Sequence, residues 1–207
     1  ATPWDFPSVD FLEELDVPAY KVASCDLTNT PLLTYIASKK RPTIISTGGG
    51  SLEAVDRAVG IVASAGAPLA VLQCTSGYPP SFDELNLSVI TTFRERYPDL
   101  TIGYSGHDSG IAMATVAVAL GARIVEKHFT LNRAMKGTDH AFSLEPDGLR
   151  KMVRDLRRTR EAMGDGIKRR YDSEVAPHQK LAKMIVAAVD MPAGHVIQAE
   201  DLDYRSP

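Results

Sequence analysis

The sequence predicts an α/β fold with parallel strands, and three observations support this prediction. Residues 101–130 have the pattern strand, loop, helix, strand, and a helix between two strands links parallel strands. Similar strand and helix patterns recur along residues 19–163, at about 25 residues per unit. Each predicted strand ends in small hydroxyl or ionisable residues. Since ligands bind beyond the carboxyl ends of parallel strands, these residues mark the functional end of the sheet.

Apolar periodicity and capping residues define the individual elements. Thr30 as N-cap and Pro31 in the first turn predict the start of the second helix. Ser51 can cap the third helix, and Gly121 is a typical stop signal for the fifth. The predicted strands are 19–24, 43–46, 69–73, 101–104 and 122–125, and the predicted helices are 8–15, 31–39, 51–65, 82–96, 111–120 and 145–163.

The regular alternation of strands and helices is typical of a (β/α)₈ (TIM) barrel, and an open doubly wound sheet fits it as well. A complete barrel needs eight strands and about 250 residues. Residues 1–164 supply about five βα units, so we predict a partial barrel that lacks about three units upstream. A charged, irregular linker is expected at 165–182, and 183–207 resembles the beginning of a small β-rich domain.

Composition excludes several classes of function. The chain has 207 residues and a net charge of −3, so it lacks the broad basic field that nucleic acids or acidic membranes require. The basic residues within 145–163 alternate with acidic ones, as on a solvated helix face. No membrane span or signal peptide is evident, and Cys25 and Cys74 are interpreted as reduced thiols of a cytoplasmic protein. Because Ala1 stands in place of an initiator Met, the chain is expected to be processed or a fragment.

Two histidines follow neighbouring predicted strands of the 101–130 unit. His107 and His128 would lie at the same end of the sheet, where two imidazoles could bind one metal ion. The alternative is that each ring is satisfied separately by the backbone. Imidazole suits several divalent transition ions, so the spacing alone does not choose the metal.

Small hydrogen-bond donors and one lysine gather at the predicted strand ends. Converging donors of this kind suit a phosphate or a carboxylate, although each Ser or Thr alone is more often a cap or turn residue. Lys21 would need an anionic partner if it faces inwards, and an outward orientation is equally compatible with the sequence. Asp139 is either a turn residue or a substrate contact. The strand-end residues are Lys21, Ser24, Asp26, Ser46, Thr47, Thr75, Ser76, Tyr78, Ser105 and Glu126.

Several strings of residues together resemble the N-acylneuraminate (sialic acid) synthase family, and they occur in that family's order. The resemblance covers nearly the whole chain, and residues 183–203 resemble the start of that family's antifreeze-like C-terminal (SAF) domain. The strings are Lys21-Val-Ala-Ser24, Ile45-Ser-Thr-Gly48, Gln73-Cys-Thr-Ser-Gly-Tyr-Pro79, Gly103-Tyr-Ser-Gly-His107, Glu126-Lys-His-Phe-Thr130, Gly137-Thr-Asp-His140 and Ser143-Leu-Glu-Pro146.

The resemblance implies a TIM-barrel transferase that condenses phosphoenolpyruvate with N-acetylmannosamine, its 6-phosphate or a related sugar. His107 and His128 would bind a divalent metal, Mn²⁺ or Mg²⁺, which polarises the sugar's aldehyde. Asp139 would contact the sugar, and Asp26 and Glu126 are the candidate acid–base residues. The positions matching those around phosphoenolpyruvate are Thr2, Lys21, Ser24, Ser46, Ser76, Tyr78 and Ser105.

The chain departs from that family's pattern at both ends. The first barrel strands, which carry a further carboxylate and a further Lys in the family, have no counterpart here, and the C-terminal domain is short. We therefore expect this chain alone to be inactive, and the full-length protein to be a cytoplasmic homodimer. Two other functions fit the sequence: a non-catalytic barrel-derived binding module, or a sister synthase for legionaminic, pseudaminic or spore-coat sugar acids.

Overall fold

The structure is a computed structural model that describes all residues, 1–207. It divides into two compact units, Ala1–Met163 and Gly164–Pro207. None of its helices combines the length and the hydrophobicity needed to cross a bilayer.

The first unit is built on a curled sheet of five parallel strands whose spatial order follows the chain order. This arrangement is half of a barrel with helices outside it, and the predicted fold class is confirmed. A doubly wound sheet would reverse its strand order at a switch point, and no reversal occurs here. The strands are β1 Tyr20–Val22, β2 Thr43–Ser46, β3 Leu69–Cys74, β4 Thr101–Gly106 and β5 Ile124–Lys127.

Six helices belong to this unit, and the main core lies between them and the sheet. Because side chains alternate between the two faces of a strand, Tyr20, Ile45, Val71 and Ile102 pack against the helices. The intervening residues face the concave side, where the cleft described below lies. The helices are α1 Phe6–Glu14, α2 Thr30–Ser38, α3 Leu52–Ser64, α4 Val89–Arg96, α5 Ala112–Ala119 and α6 Pro146–Met163.

Local capping explains where several elements begin. Asn29 caps α2 by accepting from the Leu32 N–H at 3.3 Å, so the cap lies one residue before the predicted Thr30. Ser51 caps α3 as predicted, because its hydroxyl oxygen accepts from the Ala54 N–H at 3.3 Å. Caps of this kind each contribute about 1 kcal/mol.

Several predicted bounds shift by one or two residues, and two of the differences change the local structure near the site. The helix predicted at 82–96 is broken into a 3₁₀ turn, Phe82–Glu84, and α4, because Asn86 adopts a φ of 41° between them. The fifth strand begins two residues later than predicted. Gly121 has a φ of 106° and the Ala122 N–H donates to the Ala117 carbonyl, so the helix-terminating turn includes residue 122. Glu126 consequently lies within β5 instead of beyond it.

The second unit contains one helix and one pair of strands. Helix α7, Val175–Leu181, lies in the segment predicted to be an irregular linker. Strands β6, Met184–Ala187, and β7, Leu202–Arg205, are antiparallel. Residues 195–197 form no strand, and the His195 N–H donates to the Pro192 carbonyl in a turn.

Candidate active site

A cleft of about 490 Å³ opens at the carboxyl ends of the five parallel strands. All of the site residues that the family resemblance implied line it except Asp26 and Ser76, and the strand-end residues Thr47 and Thr75 line a separate cavity. The lining residues are Thr2, Trp4, Lys21, Ala23, Ser24, Ser46, Tyr78, Ser105, His107, Glu126, His128 and Asp139. Residues of the N-terminal segment and residues in or after the five strands therefore meet in one polar cavity.

The two predicted metal-binding histidines are neighbours in this cleft. His107 follows β4 and His128 follows β5, and these strands are adjacent and parallel. Their ring centroids are 5.1 Å apart, with the ring planes inclined at 77°. The Tyr78 ring packs against both, with centroids 4.3 Å from His107 and 6.0 Å from His128. The two imidazoles therefore share one end of the cleft.

His107 is buried, and its orientation is fixed by the loop after β3. Its Nδ1 lies 2.8 Å from the Thr75 carbonyl oxygen, which can only accept, so Nδ1 carries the proton and Nε2 keeps a free lone pair. Burial lowers the pKa of His107, but contacts with the Cys74 thiol and the Thr75 carbonyl outweigh it, and the net pKa shift is upwards. A metal ion and a second proton would bind the same Nε2 lone pair, so an upward pKa shift makes metal binding more sensitive to acid.

His128 is about one-third exposed and is held from its backbone. Its carbonyl accepts from the Leu144 N–H at 2.8 Å, and its Nδ1 lies 3.6 Å from Asp139 Oδ2. The Phe142 ring lies 5.0 Å from the imidazole, centroid to centroid. Burial and the neighbouring His107 lower the pKa of His128, so this ring is neutral at neutral pH. A neutral imidazole is the form that ligates metals.

The donor set fits an open metal centre. No hydrogen bond engages Nε2 of either histidine, and no third His, Cys, Asp or Glu completes a metal-binding cluster with them. Two histidines are one protein ligand fewer than catalytic zinc sites ordinarily have, so water or substrate would have to fill the other positions around an ion. Nitrogen donors suit a transition ion such as Mn²⁺ better than Mg²⁺, which prefers oxygen.

Lys21 faces the cleft, which decides between its two possible orientations. Its Nζ donates to the Val22 carbonyl at 3.1 Å and lies 3.5 Å from Glu126 Oε2. The other oxygen of Glu126 accepts from the Ser105 hydroxyl at 2.8 Å. The cleft therefore combines a cation that can bind an anionic ligand with a carboxylate that can hold a proton.

The hydroxyl groups of the cleft differ in how well they are satisfied. Ser24 Oγ accepts from the Gly48 N–H at 3.0 Å, whereas the buried Ser46 Oγ has no hydrogen-bond partner. Buried hydroxyls are normally paired, so Ser46 is available to a ligand. Ser76 does not line the cleft. A Cβ on Gly48 would lie 2.1 Å from Ser76 Oγ and 2.9 Å from the Oγ of Ser24, which does line the cleft, so the Ser76 hydroxyl lies close to the lining.

Asp26 lies outside the cleft, contrary to the role expected for it. It ends the 3₁₀ turn Ser24–Asp26, and its Oδ1 accepts from the Asn29 side chain at 2.9 Å. A carboxylate with a short side chain is readily engaged by donors three residues away, and this local bond turns it away from the cavity.

Aromatic residues that the sequence analysis missed complete the site. Trp4 lines the cleft because the Lys21 N–H donates to the Ala1 carbonyl, which lays the N-terminal residues along the free edge of β1. Phe142 reaches His128 from the loop before α6. Neither residue belongs to a periodic segment, so no sequence pattern marked it.

Comparison with known proteins identifies the family. The model of the NeuB family matches residues 1–168. The chain belongs to the NeuB family. The resemblance to N-acylneuraminate synthases is therefore confirmed for the first unit. Because the match ends at residue 168, the antifreeze-like character of 183–207 stays a prediction.

Curated relatives of this NeuB-family chain include several sugar acid synthases. It is 42% identical to the human N-acetylneuraminate-9-phosphate synthase, over 99% of this chain and 57% of that protein. It is 38% identical to the N,N'-diacetyllegionaminic acid synthase of Campylobacter jejuni, over 100% of this chain and 63% of that protein. The pseudaminic acid synthase of the same species is 34% identical, over 100% and 60%. The chain thus spans roughly three-fifths of these relatives.

Solved structures that superpose on the chain include a sialic acid synthetase. The N-acetylneuraminic acid synthetase of Leptospira borgpetersenii superposes with a TM-score of 0.80 at 38% identity, over 86% of this chain and 62% of that one. The spore coat polysaccharide biosynthesis protein spsE of Bacillus subtilis gives 0.75 at 30% identity, over 99% and 62%. The DAHP synthase of Thermotoga maritima, at 15% identity, a TM-score of 0.67, and 81% and 52% coverage, shares the fold alone.

Proposed function

We propose that this NeuB chain belongs to an enzyme that joins phosphoenolpyruvate to an N-acylated hexosamine, forming a sialic acid-type nonulosonate and releasing phosphate. The observation that carries the proposal is the pair of imidazoles 5.1 Å apart in a cleft that also contains Lys21 and the unpaired Ser46 hydroxyl. The names of the three relatives described above, each a sugar acid synthase, support the same class of reaction.

Phosphoenolpyruvate carries a phosphate and a carboxylate, and the donors of the cleft suit both groups. Lys21 supplies a positive charge, and Ser46 Oγ is a buried donor that a ligand oxygen would satisfy. Several hydroxyls around these two would add hydrogen bonds without adding charge. The proposed contacts are Thr2, Lys21, Ser24, Ser46, Ser76, Tyr78 and Ser105.

The sugar would bind at the histidine end of the cleft. His107 and His128 would hold a divalent ion through Nε2, and Asp139, 3.6 Å from His128, would contact the sugar. When bound, such an ion supplies Lewis acidity at the aldehyde oxygen of the sugar. The donor set favours Mn²⁺ over Mg²⁺ for this role.

The reaction needs proton transfer as well as substrate binding. C3 of phosphoenolpyruvate bonds to the aldehyde carbon, water adds at C2, and phosphate departs with cleavage of its bond to C2. Glu126 is the only carboxylate of the predicted acid–base pair that lines the cleft, so we assign it to take a proton from the water. The former aldehyde oxygen gains one proton and becomes a hydroxyl, so the proton that Glu126 takes up balances the step. Lys21 Nζ lies 3.5 Å from Glu126 Oε2, so a cation stands beside the carboxylate to which we assign this proton transfer.

Coupled product assays test the proposal in the full-length protein. Phosphate release and sugar acid formation would be measured with phosphoenolpyruvate and each acceptor in turn: N-acetylmannosamine, its 6-phosphate, and the sugars leading to legionaminic and pseudaminic acid. We expect phosphate and product in equal amounts, lost on addition of EDTA and in the His107→Ala and His128→Ala variants. Tight binding of phosphoenolpyruvate without any turnover would instead establish a non-catalytic binding module.

Homodimer formation and a cytoplasmic location belong to the same proposal, as does an antifreeze-like fold for residues 183–207. Light scattering of the full-length protein would measure its mass. A crystal structure would give the fold of the C-terminal residues. A monomer with full activity would contradict the expected dimer.

A further inference from the structure

A buried ion pair lies directly behind the two histidines. Lys127 Nζ is 2.9 Å from Asp108 Oδ1, and the two side chains are 2% and 1% exposed. Asp108 follows His107 in the sequence, and Lys127 precedes His128. The pair therefore joins the ends of the two strands from which the histidines project.

Strand register explains why this pair is outside the cleft. Ser105 pairs with Glu126 and Gly106 pairs with Lys127 across β4 and β5. Because Glu126 faces the cleft, the alternation of a strand turns Lys127 to the opposite, helix-covered face. Asp108 reaches the same face beside Tyr104, whose hydroxyl donates to Asp108 Oδ1 at 2.8 Å.

Gly106 makes room for this arrangement. A Cβ at residue 106 would lie 2.7 Å from Asp108 Oδ1 and 2.5 Å from the Tyr104 ring. Any larger residue would push the carboxylate away from Lys127. Three alternate residues at and just beyond the end of β4 therefore form the site of the Lys127 ammonium group. Asp108 accepts its charge, Tyr104 holds Asp108, and Gly106 leaves room for both.

Stability alone gives a poor account of the pair. A buried ion pair loses the hydration of both charges, and well-packed apolar residues of similar volume are often at least as stable. The second carboxylate oxygen, Asp108 Oδ2, is buried without any partner, so the network is not fully satisfied. What the pair does supply is a short link between two strand ends, because Lys127 Nζ also donates to the Asp108 backbone carbonyl.

We propose that Lys127 and Asp108 are positioning residues that clamp the end of β4 to β5 and so set the separation of His107 and His128. Lys127 holds both the backbone and the side chain of the residue next to His107, and its own backbone is continuous with His128. Outer residues that orient metal ligands commonly change metal affinity 10–100-fold when they are replaced. This inference rests on the metal-binding role proposed for the two histidines.

Metal titration of the purified chain separates positioning from plain stabilisation. Binding of Mn²⁺ and Co²⁺ would be followed by electron paramagnetic resonance and by the Co²⁺ absorption spectrum, with a His107→Ala/His128→Ala variant defining specific binding. We expect Lys127→Met to weaken binding roughly 10–100-fold and to lower the melting temperature, because Asp108 is left buried and unpaired. The double variant Lys127→Met/Asp108→Leu should regain the melting temperature without regaining metal affinity.

Arg96→Met is the matched control, since it breaks the ion pair with Asp56 outside the cleft and should leave metal affinity unchanged. If the double variant recovers metal affinity together with stability, the pair is merely structural and the inference is wrong. A measurement without metal tests the clamp even if the wild-type chain binds neither Mn²⁺ nor Co²⁺. Imidazole ¹⁵N spectra report whether His107 Nδ1 keeps its proton towards Thr75.

We expect this single tautomer in the wild-type chain and a mixture in the double variant. A wild-type chain that binds neither ion would refute the proposed metal function. In that case an unchanged His107 spectrum in the double variant would also overturn the clamp, whereas a mixed spectrum would support it.

Discussion

Lys21 Nζ and Glu126 Oε2 lie 3.5 Å apart although they belong to the two outermost strands of the five-stranded sheet. The sheet is curled enough for inward side chains of β1 and β5 to meet over its concave face. In the absence of substrate, Glu126 is the counter-ion of Lys21. An anionic ligand that binds Lys21 therefore has to displace or share this carboxylate.

Replacing Lys21 by Met should abolish tight binding of phosphoenolpyruvate. The substitution keeps the length of the side chain but removes the cation, and a charge-assisted hydrogen bond contributes about 1.5–3 kcal/mol. We expect the dissociation constant to rise at least tenfold in calorimetry. Lys180→Met is the control because Lys180 is an exposed residue of α7, and it should leave binding unchanged. Equal affinities of wild-type protein and Lys21→Met would remove Lys21 from the binding site.

Removing either of two adjacent hydroxyls at the end of β2 should change the free energy of unfolding differently. Ser46 Oγ has no partner, so Ser46→Ala should leave the free energy of unfolding unchanged or raise it by up to about 1 kcal/mol. Thr47 Oγ1 donates to the Leu72 carbonyl at 2.9 Å, so Thr47→Val should lower it by about 1 kcal/mol. Urea denaturation measures both changes. Ser46→Ala should also weaken phosphoenolpyruvate binding, and a loss of stability equal to that of Thr47→Val would contradict a free hydroxyl.

Adding a methyl group should have different effects at two glycines: weaker ligand binding at Gly48 and a more stable fold at Gly60. At Gly48 a Cβ would lie 2.1 Å from Ser76 Oγ and 2.9 Å from Ser24 Oγ, so Gly48→Ala should displace both hydroxyls and weaken ligand binding. Gly60 lies within α3 and nothing is within 4 Å of its added Cβ, so Gly60→Ala should stabilise the protein by about 0.5–1 kcal/mol. Thermal melts with and without phosphoenolpyruvate measure the two effects. Unaltered ligand-induced stabilisation in Gly48→Ala would argue against this packing.

Alkaline pH should destabilise the first unit partly through Tyr20. Burial and the hydrogen bond to Glu13 raise the pKa of Tyr20 from 10.0 to about 12. The unfolded chain therefore loses this proton first, so the stabilisation is complete below about pH 10 and is lost as the pH rises through about 12. Urea midpoints between pH 9 and pH 12 should fall more steeply for the wild-type chain than for Tyr20→Phe. Parallel pH profiles would show that another group governs the alkaline transition.

Parallel strands all end at the same edge of their sheet, and this rule made much of the cleft predictable. A helix between two strands requires the strands to run in the same direction, so His107 and His128 had to emerge at one edge. The same argument gathered Lys21, Ser46 and Ser105, because it depends only on chain direction. Fold class and most of the lining residues therefore followed from local patterns.

Two features could not be predicted from the sequence: the local hydrogen bond that engages Asp26, and the face of β5 on which Lys127 lies. Asp26 has the expected chemistry, but Asn29 engages it within the same turn. Lys127 looked like part of a motif, and the face that it occupies depends on where β5 begins. That boundary was set by the turn at Gly121 and was predicted two residues too early.

The pairing of β4 with β5 also limits how this region can change in length. Glu126 faces the cleft and Lys127 the helices only because the pleat keeps its phase from Ile124 onward. Inserting or deleting one residue in β5 would exchange the two, placing an ammonium group among the side chains of the cleft and a lone carboxylate in the protein interior. Indels should therefore be absent from this strand across related sequences, whereas the exposed stretch 131–138 can vary in length.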